Sequence, residues 1–182
     1  MWGRRTKIDP QRERNVTDAA RARERTMNRA IKLLAAKPRS IAELKERLLE
    51  KLWTDEEIVD DVIKRLKEYG YLDDEQYAND LALSRLRQRP QGKRRLQQTL
   101  SQKQLDKKVV DDAIQSAFEK MPEEDLITAA IEKRLRLKGR PETRDDLKKF
   151  YDHLLRRGFS YSLIREKMSS VGSPDPEEEI VD

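Results

Sequence analysis

Residues 69–77 read Tyr69-Gly70-Tyr71-Leu72-Asp73-Asp74-Glu75-Gln76-Tyr77, and within them one helix closes and another opens. Gly70 fits the C′ position of the closing helix, where the backbone turns left-handed, and Tyr71 can then fold back on Leu66 as a Schellman motif requires. With Asp73 as N-cap, Gln76 falls at N3 to complete a capping box, and Leu72 and Tyr77 fall at N′ and N4 as a hydrophobic staple. A stop and a start this close together make a stiff corner, not a linker. The pair Asp73 and Asp74 suggests acid chemistry, but a cap and a first-turn acid beside the positive end of the helix dipole account for it.

Working outward, the same punctuation recurs. A first helical segment runs from about Asp18 through Met27, Ala30, Ile31 and Leu34 and stops before Pro38. Ser40 with Glu43 caps a second, whose apolar stripe is Ile41, Leu44, Leu48, Leu49 and Leu52. Thr54 with Glu57 makes another capping box, Trp53 and Ile58 a staple, and Ile58, Val59, Val62, Ile63 and Leu66 the buried stripe of a third helix. Asp60 and Asp61 each stand four residues before a base, Lys64 and Arg65, as on a solvated face laced with weak ion pairs. After the corner, a fourth helix carries Tyr77, Ala78, Leu81 and Leu86 inward and ends near Arg89 and Pro90. A fifth follows Gly92 through Leu96 and Leu100. Asp106 caps a sixth, with Val109, Val110, Ala113, Ile114, Ala117 and Phe118 along its stripe and Leu105 and Val110 as its staple. Pro122 suits N1 of a seventh, which buries Leu126, Ile127, Ala130 and Ile131 and closes at Gly139 and Pro141. The eighth opens near Thr143, buries Leu147, Phe150, Tyr151, Leu154 and Leu155, and ends at Gly158. Ser160 caps the ninth, with Phe159 and Ile164 as staple.

Superposing these segments exposes a repeat. Trp53, Leu105 and Phe159 are equivalent, at separations of 52 and 54 residues. The same register aligns Leu48 with Leu100 and Leu154, Leu44 with Leu96 and Phe150, and Ile58 with Val110 and Ile164. The expected fold is all-α: three tandem three-helix, helix-turn-helix-like repeats over residues 18–72, 73–121 and 122–169, in an elongated curved array. Each repeat has about 50 residues, marginal alone and stabilised by packing on its neighbour.

Composition agrees. Only 36% of the 182 residues are apolar and 41% are charged, too polar for one large core but suited to exposed helices around small ones. Six glycines, seven prolines and long runs of Leu, Arg, Lys, Glu, Gln and Ala favour helix throughout. No apolar run is long enough to span a membrane or serve as a secretory signal, and the absence of cysteine rules out disulfides and thiolate zinc sites. A cytoplasmic protein is expected. The net charge of +5 is modest but unevenly spread. Residues 1–25 hold eight bases against four acids, and residues 173–182 hold five acids and no base, so a flexible basic arm (1–17) and a disordered acidic tail (170–182) are expected.

The three helical trimers, the corner Gly70-Tyr71-Leu72-Asp73-Asp74, the segment Arg89-Pro90-Gln91-Gly92-Lys93-Arg94-Arg95-Leu96 and the segment Leu154-Leu155-Arg156-Arg157-Gly158-Phe159-Ser160-Tyr161 together resemble the RecX family over about Met27 to Met168. The chain departs from that pattern at Lys103-Gln104-Leu105, where the family usually has Lys-Gly-Ile. The resemblance implies a cytoplasmic, non-enzymatic regulator that lies along the groove of a RecA filament on DNA and modulates, generally inhibits, its ATPase and strand exchange. It implies no cofactor, and a monomer is expected.

The residues themselves point to a basic stripe. Arg85, Arg87, Arg89, Lys93, Arg94 and Arg95 are six bases without an acid, spanning the turn between the fourth and fifth helices. Lys133, Arg134, Arg136, Lys138, Arg140 and Arg144 surround the equivalent turn of the third repeat, and Arg156 and Arg157 precede Gly158. Such a stripe suits phosphates, and so direct contact with single- or double-stranded DNA, or the acidic wall of a protein filament; ordinary solvated side chains are the plainer explanation. A helix-turn-helix DNA reader is the rival. Its last helix would enter the major groove, yet residues 55–69 hold six acids against three bases and residues 106–120 four against three. Sequence reading is therefore disfavoured, and a general, sequence-independent architectural DNA binder stands as the alternative function. Catalysis finds no support: His153 is the sole histidine, set beside the stripe of the eighth helix, and adjacent acids such as Asp60 and Asp61, Asp111 and Asp112, or Asp145 and Asp146 do not face one another on a helix.

Overall fold

The structure, a computed structural model, describes Val16 and residues 18–169. The acidic tail expected over 170–182, and all of the basic arm but Val16, lie outside the described residues. Among the described residues there are nine α-helices and no strand: α1 (Ala19–Ala36), α2 (Ile41–Leu49), α3 (Glu56–Glu68), α4 (Asp74–Gln88), α5 (Lys93–Ser101), α6 (Lys107–Lys120), α7 (Glu123–Lys138), α8 (Arg144–Arg156) and α9 (Tyr161–Ser169). They fall into two compact units, one running to Tyr77 and including Lys103–Leu105, the other formed by Ala78–Gln102 and the residues from Asp106 onward.

In the first unit α1, α2 and α3 pack around Ala30, Leu44, Leu48, Val59, Val62, Ile63, Leu66 and Leu72. The stripe expected for α3 is buried residue for residue. Burying each such leucine or isoleucine contributes about 1.5–3 kcal/mol. On α1 the buried face is Ala22, Thr26 and Ala30, at spacings of four, and Ile31, expected inside, is 48% exposed because it stands about 100° around the helix from Ala30. The Ser40 and Glu43 capping box forms as expected. At α3 the cap is Asp55, not Thr54: its carboxylate accepts from the Ile58 N–H at 2.9 Å. Thr54 is instead fully buried, its Oγ1 2.9 Å from Oγ1 of Thr26. Asp61 pairs with Arg65 at 3.8 Å, whereas Asp60 reaches Lys45 at 2.6 Å, not Lys64.

The corner has the expected backbone. Gly70 sits at φ +72°, the Tyr71 N–H donates to Leu66 O at 2.8 Å, and the Gly70 N–H donates to Lys67 O at 2.9 Å, which is the full Schellman pattern. The Tyr71 ring does not fold back. It stays 68% exposed, and Leu72 fills the core at 4% exposure. Both corner aspartates are caps: Asp73 accepts from the Gln76 N–H at 2.9 Å, and Asp74 accepts from the Ile41 N–H at 2.9 Å, so it closes the start of α2. Burial, the largest influence, holds the Asp74 carboxyl above the usual aspartate range.

Lys103–Leu105 completes this unit. The Ser40 hydroxyl donates to Lys103 O at 2.6 Å, the Lys103 ammonium pairs with Glu43 at 3.0 Å, and the Gln104 amide donates to Glu46 at 3.2 Å. Gln104 has φ +55°, the left-handed region, and is the one non-glycine residue there among the described residues. Its equivalent one repeat later is Gly158. The departure at this position changes the residue and keeps a left-handed turn.

In the second unit the repeat register is visible as burial: Leu96 and Leu100 are fully enclosed, as are Leu44 and Leu48 in the first, and their equivalents Phe150 and Leu154 are 3% and 0% exposed. α4 turns Ala78, Ala82 and Leu86 inward, so Ala82 takes the place expected for Leu81, which is half-buried. On α8, Leu155, expected inside, is 41% exposed, one residue around the helix from Leu154. Pro122 caps α7 instead of opening it, since its ψ of 141° is extended.

Replacing Gln104 with glycine relieves the left-handed strain, against the greater freedom of the unfolded chain and the loss of the exposed bond to Glu46, and is expected to stabilise the protein by about 0.5 kcal/mol. Urea denaturation of Gln104→Gly beside the wild type, at unchanged m-value, checks this.

Candidate functional site

The site begins with a close backbone contact inside the second unit. α5 starts at Gly92, which has no side chain to cap it. Its N–H donates to Arg157 O at 2.9 Å, and the Arg157 guanidinium returns a bond to Pro90 O at 3.0 Å. A Cβ on Gly92 would stand 2.3 Å from Gly158 O, and one on Gly158 2.4 Å from Arg95 N, so only two glycines permit the approach. Gly158, at φ +87°, also ends α8 in the left-handed turn. The next orphan N–H of α5, that of Lys93, is met by the Glu123 carboxylate from the start of α7 at 3.0 Å.

This contact brings three helix faces around one cleft of about 680 Å³. Arg85 and Gln88 come from the last turn of α4, with Arg89 and Gln91 just beyond it; Arg95 and Thr99 lie one turn apart on α5; His153, Arg156 and Arg157 line the end of α8. Five arginines face the space and no acid does. None of the five pairs with a carboxylate among the described residues. The His153 ring accepts from the Arg157 guanidinium, Nε2 to Nε 3.2 Å, which requires the neutral imidazole. Its pKa is pushed down to about 4, first by burial and then by Arg134, Arg157, Arg156 and Arg89. Arg157 is itself lowered, by burial and then by Arg89 and Arg134. Gln91 is 8% exposed, and its Nε2 has no hydrogen-bond partner among the described residues.

Of the residues singled out in the sequence, Arg85, Arg89, Arg95, Arg156 and Arg157 therefore meet in the cleft. Arg134, Lys138 and Arg140 line a second depression of about 470 Å³ with Glu142, Asp146 and Lys149, where charges of both signs alternate. There the Arg134 guanidinium stacks over Phe150, 5.0 Å from the ring centroid. Arg87, Lys93, Arg94 and Arg136 are exposed and line neither. Sequence reasoning set His153 beside a core stripe and gave Gln88, Gln91 and Thr99 no role. The signal present was spacing: His153, Arg156 and Arg157 stand at i, i+3 and i+4, on one helix face. Among the described residues no group of carboxylates and imidazole could hold a metal ion, and no helix is long and apolar enough to cross a membrane.

Comparison with known proteins places the chain and its fold. Family models described as the first, second and third three-helix domains of RecX match residues 27–66, 73–114 and 122–168. The chain is similar to the regulatory protein RecX of Chlorobium limicola, 33% identical over 148 residues covering 81% of this chain and 90% of the relative. It is likewise similar to that of Chlorobaculum tepidum, 31% identical and covering 80% and 87%. The crystal structure of RecX from Lactobacillus salivarius superposes with a TM-score of 0.72 at 22% identity, covering 84% of this chain and 97% of that one, which is a likeness of fold.

Two measurements test the site's construction. Gly92→Ala is expected to cost about 2–3 kcal/mol in chemical denaturation, because backbone must move to admit the methyl group. For His153, the folded chain refuses a proton down to about pH 4 that the unfolded chain takes up near 6.5, so its contribution is complete above the ordinary histidine pKa and is lost as pH falls through that window. Thermal melts across the window are expected to show a shallower decline for His153→Gln than for the wild type.

Proposed function

The chain belongs to the RecX family of regulatory proteins, and on that footing we propose that it regulates a RecA recombinase, mainly as an inhibitor, by binding along the RecA filament on DNA and slowing ATP hydrolysis and strand exchange. The observation that carries the reading to particular residues is the cleft: five arginines from α4, α5 and α8 with no acid among the lining residues. Such a surface attracts the carboxylates of a protein partner or the phosphates of the DNA it holds, and guanidinium forks bind both in bidentate fashion. Arg85, Arg89, Arg95, Arg156 and Arg157 are the residues proposed for this contact, with Arg134, Lys138 and Arg140 as a flanking patch. Binding of this kind holds successive recombinase subunits and hinders their movement through the nucleotide cycle. In this reading the protein acts in the cytoplasm as a monomer, without a cofactor and without catalysis of its own. The acids of α3 and α6 oppose entry of either helix into a DNA groove, so DNA contact made through the cleft reads charge and not sequence.

The test is the DNA-dependent ATPase and strand exchange of RecA with the wild type and with a triple variant, Arg85→Glu, Arg89→Glu and Arg156→Glu. All three side chains are exposed, and none makes a hydrogen bond or ion pair among the described residues, so the variant is expected to keep the fold. The variant is expected to need at least about tenfold more protein for equal inhibition, with the loss growing at low salt. Equal potency would remove the cleft from the mechanism, and no inhibition by the wild type would remove the recombinase reading. Tight binding to bare DNA with recombinase activity untouched would favour the architectural DNA binder.

A further inference from the structure

We propose that the arginine cleft of the second unit is a discrete binding site for a free oligophosphate, the triphosphate group of a nucleotide or its inorganic counterpart. Three observations converge on this ligand class. The cleft, at about 680 Å³, has the size of a small-molecule site. Arg85, Arg89, Arg95, Arg156 and Arg157 all face it, and no carboxylate of the described residues pairs with any of them. Like charges held together at a cost in mutual repulsion call for a counterion of high charge density.

The third observation is Gln91. Its amide is more than nine-tenths buried, lines the same space, and has an Nε2 donor with no partner among the described residues. A buried, unpaired N–H is costly unless something arrives to accept it. The remaining lining groups bring no negative charge: the Thr99 hydroxyl donates to Arg95 O, the Gln88 amide donates one N–H to Ser84, and the neutral His153 accepts from Arg157. A peptide with comparable charge would have to spread its acids along an extended chain, and a DNA strand carries a single charge per nucleotide. An oligophosphate gathers several charges within a few atoms, which matches five guanidiniums around one cavity. Whether the chain acts on a recombinase does not enter, since binding is read on the isolated protein.

Titration calorimetry of the full chain with inorganic triphosphate, ATP and AMP tests the site. One-to-one binding is expected, tightening severalfold from AMP to triphosphate. The double variant Arg89→Ala, Arg156→Ala should weaken triphosphate binding at least about tenfold, each lost charge-assisted contact removing a large factor. Arg136→Ala, exposed and away from the cleft, should leave it unchanged. Gln91→Met gives a second readout: affinity falls while the melting temperature of the free protein stays level or rises, because the unpaired donor is gone. Equal affinity for ATP and inorganic triphosphate identifies the phosphate chain alone as the ligand; tighter ATP binding adds a nucleoside contact, and both support the site. Absence of saturable binding, an equal loss in Arg136→Ala, or AMP binding as tightly as triphosphate would overturn it.

Discussion

The approach of Gly92 to Gly158 is the contact on which the second unit's chemistry depends. It is made of backbone: one N–H to one carbonyl, with no room for a methyl group on either side. Because the start of α5 is pressed against the end of α8, residues that flank these glycines for other reasons are forced into company. Arg95 lies one turn into α5, and Arg156 and Arg157 close α8. Pro90 supports the arrangement by restricting its own φ and exposing its carbonyl to the Arg157 guanidinium. A helix end normally asks water or a side chain to satisfy its free groups. Here another helix end does so, and the cleft is the by-product.

The price of that arrangement is electrostatic. Burial first, and then repulsion among guanidiniums, lowers Arg157 and holds His153 neutral near physiological pH. The neutral ring is useful, because only it can accept the Arg157 bond that steadies the loop at Pro90. The neighbouring depression at the α7–α8 turn is built differently: Glu142 and Asp146 stand among its bases, and Arg134 rests on Phe150. Two basic clusters that look equivalent along the chain thus differ in compensation: acids line one and none lines the other.

In the first unit, polar groups near the core answer one another in pairs. Asp73 and Asp74, adjacent in sequence, close the starts of two different helices. Thr26 and Thr54 answer each other in the interior. Ser40 both accepts within its own capping box and donates to Lys103. The acid pair that stands out in the sequence is spent on holding helices together.

What the sequence by itself determined was everything governed by local periodicity: where helices begin and end, which faces carry leucine and isoleucine, and the register that buries Leu48, Leu100 and Leu154 alike. Most of its errors were small shifts of one residue, Thr54 for Asp55 or Leu81 for Ala82, where neighbouring residues have similar cap or burial propensity and packing chooses between them; Asp60, which pairs with Lys45 of another helix, is the exception. What only the tertiary structure decided was convergence. Spacing placed Arg85 and Arg89, then Arg95, then Arg156 and Arg157 on their own helix faces, and it equally placed Arg87, Arg94 and Arg136, which line neither depression. Periodicity fixes the direction of a side chain about its own helix axis. Which distant faces then share a space depends on how closely two backbones can pass, and that was settled by two glycines 66 residues apart, Gly92 and Gly158.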